Sequence, residues 1–329
     1  MFAEKNNKSK STVRGDCAIH GVSCSGRVPM QVQAASKESM EIIRTIAWMK
    51  EKTHQSRLEQ RLIGFVPTMG ALHAGHMALV ERARRECSPV YASIFLNPKQ
   101  FGPNEDLSKY PRPLEVDVEK LTAEKTDGLF LPDASEMYPH GFSTYVHVEG
   151  LSERLEGKTR PGHFAGVSTV VLKLLEIVQP HFAYFGRKDA QQVRIVQQMV
   201  RDLNLNTEIV VCPIVREADG LAMSSRNVYL GEEDRKAATV LYRALRAAEA
   251  VVNGGLRDSL ELQRVLRKVL ESEPRARVDY AEIVDAETFE PVVRVARRSY
   301  VVLAVFFGRT RLIDNMSIEL AGDDLRADV

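Results

Sequence analysis

Two histidines in a short turn are the residues of this sequence best suited to chemistry. His73 and His76 follow the apolar run at residues 62–66 and lie three positions apart, where a helical pattern begins. Residues at this spacing share one helix face, and the free N–H groups at a helix start attract anions. The arrangement favours phosphate binding, while metal binding, helix capping and a core position stay open. A zinc protease is excluded because the glutamate of H-E-x-x-H is absent.

Two later turns also offer groups that suit anions. Lys188 and Asp189 follow a predicted buried strand, where a lysine can neutralise phosphate and a carboxylate can accept from a hydroxyl. Asp189 and Gln192 also have the spacing of a helix-capping pair, and one residue can serve both purposes. The other turn joins hydroxyls to a guanidinium, groups that can hold a triphosphate. Its residues are Ser224, Ser225 and Arg226.

Amides and one arginine complete the candidate groups. Asn97 and Gln100 follow a predicted strand and suit a small polyhydroxy carboxylate, although ordinary loop hydrogen bonding is an equal alternative. The Gly157-Lys158-Thr159 string resembles the end of a P-loop, but the earlier glycine of that motif is missing. We interpret residues 157–163 as a basic, glycine-containing loop in which Arg160 can contact an anion.

Composition narrows the class of protein. A net charge of +1 gives no reason to expect nucleic-acid binding, and the absence of a run of 18 apolar residues predicts no membrane span. The four scattered cysteines predict reduced thiols and a cytoplasmic location. Cys17, His20 and Cys24 miss the C-x2-C spacing of common metal sites, so metal binding there is not favoured.

The order of elements predicts an α/β fold. Strands alternate with helices to about residue 214, which indicates a Rossmann-like, doubly wound parallel sheet with ligands at the carboxyl ends of its strands. We predict a disordered extension at residues 1–28, a nucleotide-binding domain at 29–214, a smaller α+β domain at 215–317 and a tail at 318–329. Further element predictions are a helix at 36–52, a strand that Pro67 stops, a strand at 143–148 and one helix at 232–252.

Several motifs in order resemble one enzyme family. The string Pro67-Thr68-Met69-Gly70-Ala71-Leu72-His73-Ala74-Gly75-His76 resembles the HxGH element of nucleotidyltransferases and, in full, that of the pantoate–β-alanine ligase (pantothenate synthetase) family. Other matching strings are Phe95-Leu96-Asn97-Pro98, Tyr110-Pro111-Arg112, Arg160-Pro161-Gly162-His163-Phe164, Met223-Ser224-Ser225-Arg226-Asn227 and Ile313-Asp314-Asn315. The resemblance covers residues 30–317.

The resemblance implies a reaction in two steps. Pantoate attacks the α-phosphorus of ATP, carried with Mg2+, and the resulting pantoyl adenylate then acylates the amine of β-alanine. It assigns His76 as the acid group and places His73 at the phosphate oxygens, with Gln100, Gln192, Asn97 and Arg160 at pantoate or β-alanine. It assigns the nucleotide site to Met69, Gly70, Ala71, Leu72, His73, Ala74, Gly75, His76, Gly186, Arg187, Lys188, Asp189, Val215, Met223, Ser224, Ser225 and Arg226. The family further implies a homodimer, with no metal ligands assigned on the protein.

Three departures and two alternatives accompany this resemblance. Lys99 stands where the family has an apolar residue, Arg187 where it has Glu or Gln, and residues 1–28 match nothing in it. Asp117 matches an acidic position of the family without an assigned role. One alternative is another HxGH nucleotidyltransferase that stops after nucleotide transfer, which would leave the amides unused. The other is an ATP-binding module without turnover.

Overall fold

A computed structural model describes residues 40–103, 105–295, 298–321 and 324–328. Residues from Ser39 onward form one compact unit. The predicted N-terminal extension at residues 1–28, with the cysteine and histidine group that it contains, lies outside the described residues. The division at residue 214 stays a prediction.

The first part of the chain forms a parallel sheet covered by helices. Its six strands lie in the order β1-β4-β3-β2-β5-β6, and every paired neighbour is parallel. The strands are β1 (Glu41–Ile43), β2 (Gly64–Thr68), β3 (Val90–Ile94), β4 (Gly128–Phe130), β5 (Phe182–Gly186) and β6 (Glu208–Cys212). The helices are α1 (Ile46–Leu58), α2 (Ala74–Glu86), α3 (Leu114–Ala123), α4 (Ala134–Met137), α5 (Glu156–Thr159), α6 (His163–Val178) and α7 (Ala190–Asp202). The predicted α/β class is confirmed.

The second part of the chain forms an antiparallel sheet with its own core. Strands β7 (Ala276–Asp285), β8 (Ser299–Phe307), β9 (Thr310–Ala321) and β10 (Asp324–Asp328) lie in sequence order. Helices α8 (Glu232–Ala237), α9 (Val240–Asn253) and α10 (Ser259–Leu270) precede them. Apolar residues of α9, α10 and β7 to β9 form a continuous buried cluster. This arrangement is the predicted smaller α+β unit.

Pro67 shapes the centre of the parallel sheet. The prediction that it stops the strand is wrong on one side, since β2 pairs with β3 through Pro67 and Thr68. On the other side β2 pairs with β5 only at Gly64 and Phe65. Proline has no N–H to donate, so β2 can continue only where that donor is not required. The sheet therefore opens between the carboxyl ends of β2 and β5.

Four element predictions are corrected by the structure. Residues 41–43 form β1 instead of helix, because Ile43 is buried opposite Phe130 and Thr45 caps α1 by accepting from the Trp48 N–H. Residues 143–148 belong to no strand that the structure describes. The helix predicted at 232–252 is broken into α8 and α9. Within the predicted tail at 318–329, β9 continues to Ala321 and Asp324–Asp328 form β10.

Candidate active site

The gap between β2 and β5 leads into two adjoining cavities. The smaller cavity, of about 230 Å³, lies at the carboxyl ends of these strands. The larger cavity, of about 760 Å³, extends towards β7 to β9, and both are lined by Arg160, Lys188 and Gln192. Predicted site residues that line the smaller cavity are Met69, His73, Gly75, His76, Gln100, Arg160, Gly186, Lys188, Asp189, Gln192, Val215, Met223, Ser224, Ser225 and Arg226.

Other predicted site residues line neither cavity. They are Gly70, Ala71, Leu72, Ala74, Arg187 and Asn97. Gly70, Ala71 and Leu72 belong to the turn before α2, and Ala74 is the first residue of that helix. A direct contact of any of them with ATP or pantoate stays a prediction.

The histidine pair caps α2 and faces the smaller cavity. The Gly75 N–H donates to His73 Nδ1 at 3.1 Å, and the His73 N–H donates to His76 Nδ1 at 3.3 Å. The two rings lie with centroids 4.1 Å apart. The helix-capping alternative is therefore confirmed. Because each Nδ1 accepts a hydrogen bond, the neutral ring carries its proton on Nε2, which can donate to a phosphate oxygen.

Both rings are held in the neutral form. Burial, with Lys188 nearby, lowers the pKa of His73 to about 4. Burial, with His73 and Lys188 nearby, lowers the pKa of His76 to about 3. At neutral pH the pair therefore offers hydrogen-bond donors without positive charge. This geometry favours a neutral donor over the acid role that the family resemblance assigns to His76.

Asp117 is a functional residue whose role the sequence left open. Its carboxylate accepts from the Ala71 N–H and the Leu72 N–H, both at 2.8 Å, while the Lys120 ammonium donates to the Leu72 carbonyl at 2.5 Å. Gly70 and Ala71 have positive φ angles of 87° and 51°. Asp117 thus stabilises a left-handed turn before α2. Because these two N–H groups are occupied, the imidazoles are left as the candidate anion-binding groups of this turn.

The predicted amides form a connected network. Asn97 donates to Gln100 Oε1 at 3.0 Å and to the Gly166 carbonyl at 3.1 Å, and accepts from the Tyr138 hydroxyl at 2.7 Å. Asn97 is 1% exposed, and its side chain orients Gln100. Gln100 faces the smaller cavity and donates to Met69 Sδ at 3.0 Å.

Close packing keeps the charge of Lys99 outside this network. A Cβ on Gly166 would lie 2.3 Å from the Lys99 carbonyl oxygen, so only glycine lets α6 approach this turn. The Lys99 ammonium lies 5.9 Å from the centre of the Tyr138 ring and 5.6 Å from that of the Tyr145 ring. This lysine therefore meets aromatic faces, where a cation is stabilised, and lines neither cavity.

An acidic loop, residues 105–110, lies against both arginines of the site. Glu105 makes a bidentate ion pair with Arg160 at 2.8 and 2.6 Å, and Asp106 makes one with Arg226 at 3.0 Å for both contacts. The Tyr110 hydroxyl lies 2.8 Å from Ser225 Oγ. Burial opposes ionisation, but the adjacent guanidinium groups lower the pKa of both carboxyls. The ion pairs of Glu105 and Asp106 were not predicted, because their partners lie 55 and 120 residues away in the sequence.

His163 connects Arg160 with the amide network. Its Nδ1 lies 2.9 Å from the Gln100 carbonyl oxygen, and its Nε2 lies 3.0 Å from Arg160 Nη1. Guanidinium can only donate, so the neutral ring accepts at Nε2 and donates from Nδ1. Burial, with the Arg160 charge, lowers the pKa of His163 to about 4. The matching string at residues 160–164 was the available signal for this residue.

The Lys188 and Ser224 turns border the same cavity. Lys188 Nζ lies 3.9 Å from Asp189 Oδ1, and Asp189 makes no capping hydrogen bond to α7. Ser224 Oγ accepts from the Arg226 N–H at 3.3 Å and begins a short 3-10 turn.

Among the described residues, no cluster of three or more His, Cys, Asp or Glu is placed to hold a metal ion. Within the same ranges, no helix is both long and apolar enough to cross a membrane.

This combination defines a class of protein. The paired histidines, the lysine turn and the Ser-Ser-Arg turn all lie at the carboxyl ends of parallel strands. A site of this kind is typical of an α/β enzyme that transfers a nucleotide from ATP. The family model described as pantoate-beta-alanine ligase matches residues 41–317. The chain belongs to the pantoate–β-alanine ligase family.

Two similar proteins align with this chain over almost their whole length. The pantothenate synthetase of Acetivibrio thermocellus is 50% identical over 281 residues, which are 85% of this chain and 100% of that protein. The pantothenate synthetase of Thermotoga neapolitana is 53% identical over 276 residues, 84% of this chain and 99% of that protein.

Solved structures share the fold. The crystal structure of pantothenate synthetase from Thermus thermophilus has a TM-score of 0.80 and 49% identity, and covers 84% of this chain and 98% of that one. The pantoate-beta-alanine ligase of Francisella tularensis, complexed with beta-gamma ATP and beta-alanine, has a TM-score of 0.69 and 38% identity. That match covers 84% of this chain and 97% of that one.

Proposed function

We propose that the chain condenses pantoate with β-alanine at the expense of ATP, through a pantoyl adenylate. The observation that carries this proposal is the single cavity where the histidine pair and Lys188 face the amides of Gln100 and Gln192. A carboxylate and an amine do not condense readily in water. Adenylation supplies the leaving group, and the site contributes positioning and charge stabilisation.

In the first step a pantoate oxygen bonds to the α-phosphorus and pyrophosphate leaves. Lys188 and Arg226 stabilise the charge that moves onto the leaving phosphates, and the Nε2–H groups of His73 and His76 donate to phosphate oxygens. Ser224 and Ser225 add hydroxyl donors at the same wall of the cavity. The Mg2+ ion enters as part of the MgATP substrate, because this cation keeps its waters and binds phosphates with few protein ligands.

In the second step the amine of β-alanine attacks the acyl carbon and AMP leaves with the bonding electrons. The attacking amine loses a proton as the amide forms, giving pantothenate. Gln100 and Gln192 hold pantoate through both steps, with Asn97 behind Gln100 and Arg160 at the open side of the cavity. The acidic loop lies across the two arginines while the adenylate is present.

Pyrophosphate–ATP exchange tests this function. We expect exchange only with pantoate present, and AMP release when β-alanine follows. Exchange that ignores pantoate would show a different nucleotidyltransferase, and ATP binding without exchange would show a non-catalytic module.

We also propose that the chain works as a homodimer in the cytoplasm. The family resemblance supports the dimer, and the exposed residues 143–145 supply a surface for it, with Tyr145 half exposed. Cys87 and Cys212 are free and buried, as expected in a reducing compartment. Light scattering after size exclusion tests the dimer, since a monomer at assay concentration would contradict it, and cell fractionation tests the location.

A further inference from the structure

One side chain of the antiparallel sheet holds the backbone of the Lys188 turn. Asn315 on β9 is 2% exposed, and its Nδ2 donates to the Arg187 carbonyl at 3.0 Å and to the Lys188 carbonyl at 2.9 Å. Two bonds from one planar amide to consecutive carbonyls fix both the amide and the turn. The turn is thus attached to β9 at the residue that faces the cavities.

Asn315 is itself held by a rigid neighbour. The Asn315 N–H donates to Asp314 Oδ1 at 2.8 Å. The Arg216 guanidinium donates to both oxygens of the Asp314 carboxylate, at 2.7 and 3.1 Å. Asp314 is 2% exposed, and the Arg216 guanidinium stacks 4.9 Å from the centre of the Tyr242 ring. A bidentate pair with this burial leaves little freedom, so β9 provides a fixed support for the amide.

Lys188 depends on such a support. A lysine carries its charge on a flexible four-carbon stem, so its reach into a cavity is set largely by the position of its backbone. Neither Gly186 nor Asp189 makes a side-chain capping bond at this turn. Among the residues that the structure describes, only the Asn315 side chain donates to both the Arg187 and the Lys188 carbonyl, the two carbonyls that flank the Lys188 Cα.

We propose that Asn315 is a positioning residue for adenylation: it holds the Lys188 turn so that the ammonium meets the phosphates of ATP. This proposal rests on the role proposed above for Lys188. Asn315 Oδ1 is buried, and no residue in the described part of the chain donates a hydrogen bond to it. An unpaired buried acceptor does not stabilise the fold, so the presence of an amide at this buried position calls for another explanation. The second domain would then take part in catalysis through one amide.

A double-mutant cycle tests the proposal. Asn315→Leu keeps the side-chain volume and removes the two donors, and Lys188→Ala removes the group that they position. We measure kcat and KM for ATP in pyrophosphate exchange for the wild-type, both single variants and the double variant. Asn315→Leu should lower kcat/KM for ATP by about 10- to 100-fold, as for a reacting group displaced by a fraction of an ångström. In the Lys188→Ala background the same change should cost less than about threefold.

Two outcomes overturn the proposal and can be told apart. If Lys188→Ala is impaired and Asn315→Leu adds its full effect to it, then Asn315 does not act through Lys188. If Lys188→Ala is unimpaired, the role proposed for Lys188 is wrong, and the positioning fails with it. Should Asn315→Leu not fold, the smaller Asn315→Ser enters the same cycle.

Met316→Val provides the matched control for stability. Met316 is the next residue of β9, is fully buried and belongs to the core of the second domain. This variant should lower the thermal unfolding temperature and leave kcat/KM for ATP unchanged. An equal loss of kcat/KM in this control would show that any disturbance of β9 suffices, and would overturn the specific role of the amide.

Discussion

Each Nδ1 of the histidine pair accepts a backbone N–H, which leaves Nε2 as the nitrogen able to face a ligand. His76 therefore has two separable tasks, accepting at the helix start and donating into the cavity. When glutamine replaces His76, its side-chain amide reaches about the position of Nε2 and can donate there. When asparagine replaces it, the shorter side chain reaches only the position of Nδ1. Neither amide can act as an acid, so this pair of substitutions separates donation from proton transfer.

We expect His76→Gln to retain clearly more exchange activity than His76→Asn. Removal of one donor that stabilises a developing charge costs about 100- to 1,000-fold in rate, which we expect for His76→Asn. The measurement is the pantoate-dependent exchange rate at pH 7.5, with circular dichroism to verify the fold. Equal losses in both variants would instead support the acid role.

The lowered pKa values also predict how stability depends on pH. His73 and His163 have a pKa of about 4, and His76 of about 3, against 6.5 in an unfolded chain. Between these values the unfolded chain binds protons that the folded chain does not. The free energy of unfolding should therefore fall as the pH drops from about 6.5 to 4, by up to about 1.4 kcal/mol per pH unit for each histidine.

Urea unfolding at pH 7, 6 and 5 measures this slope. His163→Gln should reduce the slope, while the same substitution at the exposed His140 provides the control. An unfolding free energy that stays constant from pH 7 to 5 would show that the three rings are not held neutral.

At the scale of elements, the acidic loop joins two anion-binding arginines that approach the cleft from different parts of the chain. Arg160 precedes α6 and Arg226 precedes α8, and both are paired with neighbouring residues of the loop. These ion pairs hold the loop beside the cavity that we propose for formation of the adenylate. A loop in this position limits the access of water to a reactive intermediate.

We expect Glu105→Gln with Asp106→Asn to uncouple the reaction. Without the two charges the loop is held less firmly, so water hydrolyses part of the pantoyl adenylate. The measurement is AMP formed with ATP and pantoate in the absence of β-alanine, which should rise several-fold while pyrophosphate exchange persists. Lys109→Gln changes an adjacent loop charge outside both ion pairs and serves as the control. Unchanged AMP formation in the double variant would show that the two pairs do not restrain the loop.

The elements differ in how well the sequence predicts them. Buried parallel strands are continuous apolar runs, so β3 and β4 can be recognised in the sequence, and with them the fold class. Met40, Ile43 and Ile46 have helical spacing, yet Ile43 belongs to β1 because a neighbour distant in sequence buries it. The ion pairs of the acidic loop and the bonds of Asn315 escape prediction for the same reason.

At the scale of the whole molecule, the family match and the folded unit begin almost together. The match starts at residue 41, which is also the first residue of β1. Relatives covered to 99–100% of their own length align with only 84–85% of this chain. The residues before β1 are therefore not required for the activity that the relatives are named for, if this chain shares it.

We expect deletion of residues 1–38 to leave the ligase intact. Its kcat/KM for each substrate should stay within about twofold of the full chain, because, among the described residues, none that lines either cavity lies before Pro67. Deletion of residues 1–46 is the matched control, since it removes β1 and with it Ile43, which is fully buried against Phe130. Losing a buried side chain of this size costs about 2–5 kcal/mol, so the longer deletion should unfold at lower urea. Steady-state kinetics and urea unfolding compare the two, and an inactive shorter deletion that still folds would show that residues 1–38 contribute to the reaction.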